Sequence, residues 1–192
     1  MIRIQQVLII SSADSATEVL TDLVRSAGFS SISVIKSGGE ARRSLAGLDC
    51  ELILINAPLS DEIGDELALF ASEVSTAGVL LLIKNAFADD VAAKVEDAGV
   101  LVVGKPILRP FFFHAAKLAS TSHKRILCLK HENDRLQDKI MEIRLVDRAK
   151  CILIQYLDMS EKEAHRHIEK LAMDKRKTRR EIAESILHSY EE

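Results

Sequence analysis

The sequence predicts an α/β fold with a doubly wound, parallel, five-stranded sheet, then a long helix and a small three-helix bundle. Five short apolar runs alternate with helical patterns in the first part of the chain, a heptad repeat follows, and three short amphipathic patterns end it. Strands that alternate with helices form a parallel sheet covered on both faces. A chain of 192 residues has room for two small domains. We predict an α/β domain over 1–121, a coiled-coil helix over 122–147 and a bundle over 144–192.

The five predicted strands are runs of Val, Ile and Leu typical of strands buried on both faces. Helical patterns separate them, from the turn at 11–15 through Val24 and around 41–48, 65–73 and 89–97, and Gly28 and Gly99 are placed to end the first and last. The apolar runs are residues 6–10, 31–35, 52–55, 79–83 and 100–103.

Composition excludes several classes of protein. The chain is 47% hydrophobic and 29% charged, as in an ordinary soluble protein. No run approaches the roughly 18 apolar residues of a membrane span, and residues 1–5 lead into a strand pattern rather than a signal peptide, so we expect a cytoplasmic protein that does not contact membranes. Its three cysteines lie far apart without metal-ligand spacing, which predicts buried thiols rather than a disulfide framework or a zinc site. We expect neither a metal nor a cofactor.

Charge is unevenly distributed along the chain. Residues 1–120 hold 10 Lys and Arg against 15 Asp and Glu, a net −5, whereas residues 121–192 hold 16 against 14, a net +2. The basic residues of the second part cluster at 175–180. Such clustering is better evidence for nucleic-acid binding than the net charge of +2.

Polar residues after the strands point to a known family. Asn56 directly follows the third strand, Gly64 comes eight residues later, and Lys105-Pro106 follows the fifth strand. This arrangement resembles the receiver domain of two-component response regulators, which has a flavodoxin-like fold. In that family an acidic pair after the first strand holds magnesium, an aspartate after the third accepts phosphate, a Ser or Thr after the fourth senses it, and a lysine contacts it.

The sequence departs from that pattern at nearly every position. Ser11 and Ser12 stand at the acidic pair, Asn56 at the phosphoacceptor, and Lys84 or Asn85 at the Ser or Thr, so that only Lys105 matches. An amide is a poor nucleophile, and hydroxyls hold a hard cation weakly. We therefore predict a degenerate receiver kept for protein contacts. In the alternative, Asp14 and Asp61 serve as shifted ligands of an active receiver. We interpret Lys105 as closing a polar pocket beside a possible cis Lys-Pro bond.

A heptad repeat follows Phe111-Phe112-Phe113, which we expect to start the last receiver helix and cover the sheet. A polar Asn at an a position fixes register and favours two parallel strands, so we predict a parallel homodimer. The alternative is a helix that packs on its own receiver. No Gly or Pro interrupts residues 114–157, which predicts one connecting helix. The seam residues are Ile126, Leu129, Asn133, Leu136, Ile140 and Ile143.

Three amphipathic patterns follow. Ser160 with Glu163, and Thr178 with Glu181, have the spacing of capping boxes that start the second and third helices. Helices this short must pack together to be stable. The predicted buried stripes are Ile143, Val146, Ala149, Ile152 and Leu153, then Ala164, Ile168 and Leu171, then Ile182, Ala183, Ile186 and Leu187.

These segments resemble a second family. The matching features are Arg148-Ala149-Lys150, the helix start at 159–164, Leu171-Ala172-Met173, and the run at 175–177 followed by Glu181-Ile182-Ala183. They resemble the ANTAR domain, the RNA-binding output module of bacterial antitermination regulators of the AmiR and NasR type. The alanines Ala149, Ala164 and Ala172 suit close helix crossings.

The resemblance implies a dimeric antiterminator that binds hairpins in nascent leader RNA and prevents a terminator from forming. The alternatives are a DNA-binding response regulator, disfavoured because the segment from Met173 to Arg180 has no Gly for a tight turn, and an adaptor without a nucleic-acid target. We expect no enzymatic activity and a possible ligand-sensing regulatory protein as partner. The candidate RNA contacts are Lys150, His165, Arg166, Lys175, Arg176, Lys177, Arg179 and Arg180, with His167 beside them.

Overall fold

A five-stranded parallel sheet forms the centre of the first part of the chain. The computed structural model describes residues 6–190. Because β1 pairs with both β2 and β3, Ile10 lies between Ile35 and Ile55. The strands are β1 (Gln6–Ile10), β2 (Ser31–Ile35), β3 (Leu52–Asn56), β4 (Gly78–Lys84) and β5 (Leu101–Lys105), in the spatial order β2-β1-β3-β4-β5.

Helices cover both faces of this sheet. One apolar cluster packs α2, α3 and α4 on one face, and another packs α1 and the start of α5 on the other. This arrangement confirms the predicted receiver-like fold class. The helices are α1 (Asp14–Ser26), α2 (Gly38–Leu45), α3 (Asp65–Val74), α4 (Ala88–Val95) and α5 (Arg109–Leu157), with short 3-10 turns at Asn85–Phe87 and Glu96–Ala98.

Helix α2 begins at Gly38, three residues before the helical pattern that the sequence predicts around 41–48. The Ser37 hydroxyl accepts a hydrogen bond from the Glu40 amide at 3.3 Å. The Asp61 carboxylate accepts hydrogen bonds from the amides of Gly38 and Gly39, both at 2.9 Å. These bonds satisfy amides that a helix start leaves unpaired. Asp61 is distant in sequence, so the start of this helix depends on a tertiary contact.

Two predictions about burial were wrong in part. Cys50 is buried, as expected, and burial raises the pKa of its thiol to about 11, but Cys128 and Cys151 are exposed. Of the three phenylalanines, Phe112 is fully buried on the sheet, whereas Phe111 is 68% exposed. The reason is helical geometry, because consecutive residues of α5 point in different directions and only part of the helix surface faces the sheet.

Helix α5 runs without interruption from Arg109 to Leu157, which confirms the single connecting helix. The chain divides into two compact units, Met1–Cys128 and Leu129–Glu192. The narrower domain bounds predicted from sequence stay predictions, and their outer ends, residues 1–5 and 191–192, lie outside the described residues.

The second unit has its own apolar core. The end of α5 packs with α6 (Glu161–Lys175) and α7 (Arg179–Tyr190). Leu171 is only partly buried. Ile143 is 54% exposed, so the prediction that Ile143 belongs to the first stripe of the bundle was wrong, because the core begins one turn later. The buried core consists of Ala149, Leu153, Ala164, Ile168, Ala172, Ile182, Ala183, Ile186 and Leu187.

None of the helices in residues 6–190 combines the length and apolar character that crossing a membrane requires.

Candidate functional site

Asn56 lies at the carboxyl edge of the sheet, where parallel α/β folds place their functional groups. It ends β3 and is buried. Its Nδ2 donates a hydrogen bond to the Ser11 hydroxyl at 2.9 Å, and Ser11 is itself buried. The structure thus brings together the residues at the predicted phosphoacceptor and first acidic-pair positions.

The Ser12 hydroxyl joins neighbouring loops. It donates to the Lys36 carbonyl at 2.8 Å and accepts from the Ser60 amide at 2.8 Å. Ser12 therefore performs a structural task where the resemblance would place a magnesium carboxylate.

Lys105 ends β5 and reaches across the carboxyl edge towards β3. Its ammonium donates to the Ala57 carbonyl, as expected of a lysine that closes a polar pocket. Burial lowers the pKa of Lys105, and the nearby charge of Lys84 lowers it further. The Lys105-Pro106 bond is cis, which confirms the expectation, and Lys84 is exposed.

Asp14 and Asp61, the shifted ligands of the alternative hypothesis of an active receiver, both contact other groups of the protein. Asp14 lies 2.7 Å from the Lys36 ammonium and is exposed. Asp61 accepts from Gly38 and Gly39, and these two hydrogen bonds, with Gly38 contributing most, lower the pKa of its carboxyl group.

The donor set at this edge does not fit the magnesium ion that the receiver fold implies. Magnesium prefers carboxylate oxygens in octahedral geometry. Here the donors are the Ser11 and Ser12 hydroxyls and the Asn56 amide, and they already hydrogen bond to protein groups. Across residues 6–190 no three His, Cys, Asp or Glu side chains are grouped closely enough to hold a metal.

In the bundle, both predicted capping boxes are present. The Ser160 hydroxyl accepts from the Glu163 amide, and the Glu163 carboxylate accepts from the Ser160 amide at 2.9 Å. Thr178 and Glu181 make the same reciprocal pair, at 3.2 and 2.7 Å. The starts of α6 and α7 are thereby determined by local sequence.

Several candidate RNA contacts already have acidic partners. The Lys150 ammonium lies 2.8 Å from both Asp147 and Glu161, and its side chain is only 15% exposed. Asp147 raises the pKa of Lys150 most, followed by Glu161. The other paired candidates are Arg179 with Glu142 and Glu169, Arg180 with Glu184, and His165 with Glu169, at 3.5, 4.0, 2.9 and 3.3 Å.

The remaining candidates form no salt bridge with any described residue, although the charge of Lys177 is close enough to Glu181 to help lower the pKa of that carboxyl group. Within residues 6–190, Arg166, Lys175, Arg176 and Lys177 form no salt bridge and are exposed. Two further exposed lysines, Lys162 and Lys170, share this property. They lie four residues on either side of Arg166, and side chains at this spacing are neighbours on one helix face.

Sequence reasoning missed these two lysines, although their spacing was visible. They belong to a basic stripe that we define as Lys162, Arg166 and Lys170. Part of the stripe borders a groove of about 460 Å³ at the junction of α5 and α6. The groove is lined by Leu157, Asp158, Met159, Glu163, Arg166, His167 and Lys170.

The connection between α6 and α7 is tighter than the sequence predicts. It consists of residues 176–178 only, and Arg176 has a left-handed backbone with φ of 50°. The Lys177 amide donates to the Ala172 carbonyl, which closes the helix end in the way that usually selects glycine. The absence of Gly therefore does not exclude a tight turn, and that argument against a helix-turn-helix was wrong.

The apolar residues of the predicted dimer seam are exposed in the single chain. The exposed fractions of Ile126, Leu129, Leu136, Ile140 and Ile143 lie between 47 and 64%. Asn133 is exposed as well.

The last part of the chain matches the ANTAR domain family over residues 134–187. Over 173 residues the chain is 25% identical to the transcriptional regulatory protein PdtaR of Mycobacterium tuberculosis, which covers 88% of this chain and 83% of that protein.

Solved structures share the fold of the first unit. A CheY-like response regulator receiver domain from Methanospirillum hungatei aligns with a TM-score of 0.56 at 15% identity, over 64% of this chain and 98% of that one. A signal receiver domain from Pseudomonas fluorescens aligns with a TM-score of 0.57 at 17% identity, over 65% and 93%. The chain therefore combines a receiver fold in its first unit with a later segment that matches the ANTAR domain family.

Proposed function

We propose that this chain is a cytoplasmic transcription antitermination regulator that binds hairpins in nascent leader RNA and so prevents a terminator hairpin from forming. The ANTAR match and the similarity to PdtaR support an RNA-binding antitermination response-regulator family, at low identity. The chain acts by binding and not by catalysis. Its receiver unit, with an amide at Asn56 and hydroxyls at Ser11 and Ser12, serves protein contacts rather than phosphotransfer.

The observation that carries the proposal is the set of exposed cations that form no salt bridge among the described residues of the segment that matches the ANTAR domain family. Phosphate contacts supply much of the affinity of proteins for nucleic acids. A cation that already lies beside a carboxylate gains less from a phosphate, because part of its charge is neutralised before binding. We assign the main contacts to the basic stripe and to Lys175, Arg176 and Lys177, and lesser ones to Lys150, Arg179 and Arg180.

The groove beside the basic stripe is suited to unpaired bases. Proteins usually read RNA sequence from loop bases, which they stack on planar side chains and hydrogen bond at their edges. Arg166 and His167 supply planar groups, and Met159 supplies an apolar contact in the same groove. A hairpin loop over this groove would place its phosphates near Lys162 and Lys170.

The proposal is tested by measuring hairpin binding at several salt concentrations. The probe is a pool of stem-loop RNAs with a fixed stem and a randomised loop, and a duplex DNA of the same length is the competitor. Arg176→Ala with Lys177→Ala should flatten the slope of log affinity against log salt by roughly 1.4 to 1.8, since each lost phosphate contact removes about 0.7 to 0.9. Arg179→Ala with Arg180→Ala, the matched pair that has acidic partners, should flatten it less.

Three results would contradict the proposal. If the wild-type chain binds no hairpin even at low salt, an adaptor without a nucleic-acid target is favoured. Equal or tighter binding to the DNA duplex favours a DNA-binding regulator, for which the tight turn at 176–178 is the supporting feature. Equal slopes for the two double variants would show that a carboxylate partner does not weaken the contact of a cation with RNA phosphate.

A further inference from the structure

A cavity of about 690 Å³ opens at the carboxyl edge of the sheet in the first unit. It lies between the ends of β3 and β5 and the first turns of α1, and we call it the switch-point cavity. In parallel α/β sheets, ligands bind where the strand order reverses, and here the chain reverses between β1 and β3. The volume falls within the range of small-molecule sites, which is roughly 300 to 1,000 Å³.

The charge of this cavity is the reverse of what a phosphorylatable receiver needs. Lys105 and Arg109 line it, and no Asp or Glu is among the described residues of its wall. Asn56 contributes a neutral amide where the receiver family has an acid. Asp14, at the start of α1, lies against Lys36 and does not line the cavity.

Lys105 retains donors for a ligand. An ammonium group has three N–H donors, and one of them is used by the Ala57 carbonyl. Burial and the nearby Lys84 disfavour the charged form of Lys105, as its lowered pKa shows. An anion beside the ammonium would stabilise that charge.

The rest of the wall is largely apolar. Val19 of α1 faces solvent with an exposed fraction of 59%, while Leu20 and Leu23 behind it are buried. Ile107 extends the same surface on the other side. An inorganic anion would leave this surface uncovered, whereas an anion with a hydrocarbon body would bury it, at roughly 25 cal/mol for each Å² removed from water.

We propose that the switch-point cavity binds a small organic carboxylate, with its charged end at Lys105 and Arg109 and its apolar body along Val19 and Ile107. Binding is noncovalent, and no metal or phosphoryl group takes part. The site is independent of the RNA surface, since its residues all belong to the first unit.

Isothermal titration calorimetry of the full-length chain tests the proposal. Octanoate and phenylacetate are the probes, octanol is the control without charge, and acetate is the control without an apolar body. We expect saturable binding of at least one probe at one site per chain. Both controls should bind at least about tenfold more weakly, the effect of losing a charge-assisted hydrogen bond or several buried methylenes.

Variants locate the site. Lys105→Met with Arg109→Met should weaken probe binding about tenfold or more, whereas Lys117→Met, an exposed lysine of α5 outside the cavity, should leave it unchanged. If the double variant is misfolded by circular dichroism, Val19→Asp provides a second test, because it places a negative charge at an exposed position of the wall and should also abolish binding.

Specific results would overturn the proposal. These are no saturable binding of either probe to the wild-type chain, equal affinity for octanoate and octanol, or undiminished binding by folded Lys105→Met with Arg109→Met and by Val19→Asp.

Discussion

At the scale of single residues, the difference between a carboxylate and an amide determines the chemistry of the receiver unit. Asn56 is buried and bonded to Ser11, so its side chain contributes to the structure of the sheet edge. A carboxylate at this position could attack a phosphoryl group, but the amide cannot form the same acyl phosphate. Changing this one group would still leave Ser11 and Ser12 as weak ligands for a hard cation.

We therefore predict that neither the wild-type chain nor Asn56→Asp gains a phosphoryl group from acetyl phosphate in the presence of magnesium. Intact-mass spectrometry after the reaction measures the gain directly, with a phosphorylatable receiver domain as the positive control. A phosphorylated wild-type chain would contradict the proposed role of the receiver unit, and a phosphorylated Asn56→Asp would show that the hydroxyls suffice for the cation.

At the scale of elements, the capping boxes connect the stability of the bundle to pH. Hydrogen bonds from the Ser160 hydroxyl and amide lower the pKa of Glu163, the hydroxyl contributing more. Bonds from Thr178, chiefly from its amide, lower the pKa of Glu181. A carboxylate whose pKa is lowered in the folded state stabilises that state above its unfolded pKa, near 4.5. This contribution disappears as the pH falls through the folded-state pKa.

Glu163→Gln with Glu181→Gln should accordingly remove part of the loss of stability that the wild-type chain shows when the pH is lowered from neutrality to below 4.5. The measurement is the urea midpoint of unfolding at each pH, followed by helical circular dichroism. Glu18→Gln with Glu73→Gln, in the receiver unit, matches the change in charge. If both double variants respond to pH in the same way, the capping boxes do not carry this dependence.

At the scale of the whole molecule, the heptad seam on α5 predicts that two chains form a parallel homodimer. Its apolar side chains are exposed in the single chain, and burying them against a second copy is what a coiled coil provides. Such a dimer would hold two ANTAR domains, and two linked sites bind a suitably spaced pair of hairpins more tightly than either site alone.

Leu136→Asp should dissociate this dimer, because it places a charge at a d position of the seam. Sedimentation equilibrium measures the mass of the wild-type and variant chains. His131→Asp introduces the same side chain five residues away, at an f position on the outer face, and should leave the mass unchanged. A Leu136→Asp chain with the wild-type mass would place the interface elsewhere, and a monomeric wild type would remove the dimer from the proposal.

The sequence by itself determined the architecture of this protein, because the features that encode it are local. Alternating apolar runs set the parallel sheet, an uninterrupted stretch from 114 to 157 set the connecting helix, and residues three apart set the capping boxes. The departures at Ser11, Ser12 and Asn56 could also be identified at once, since a side chain keeps its chemistry whatever surrounds it.

The tertiary structure decided which charged residues are available for binding. Lys150 and Arg179 look like their neighbours in sequence, yet Glu161 lies beside Lys150, and Glu142 and Glu169 lie beside Arg179. The early start of α2 likewise depends on Asp61, and the switch-point cavity on the meeting of β3, β5 and α1. Electrostatic interactions and cavities depend on distances through space, and many of the groups involved are far apart along the chain, so local sequence patterns do not specify them.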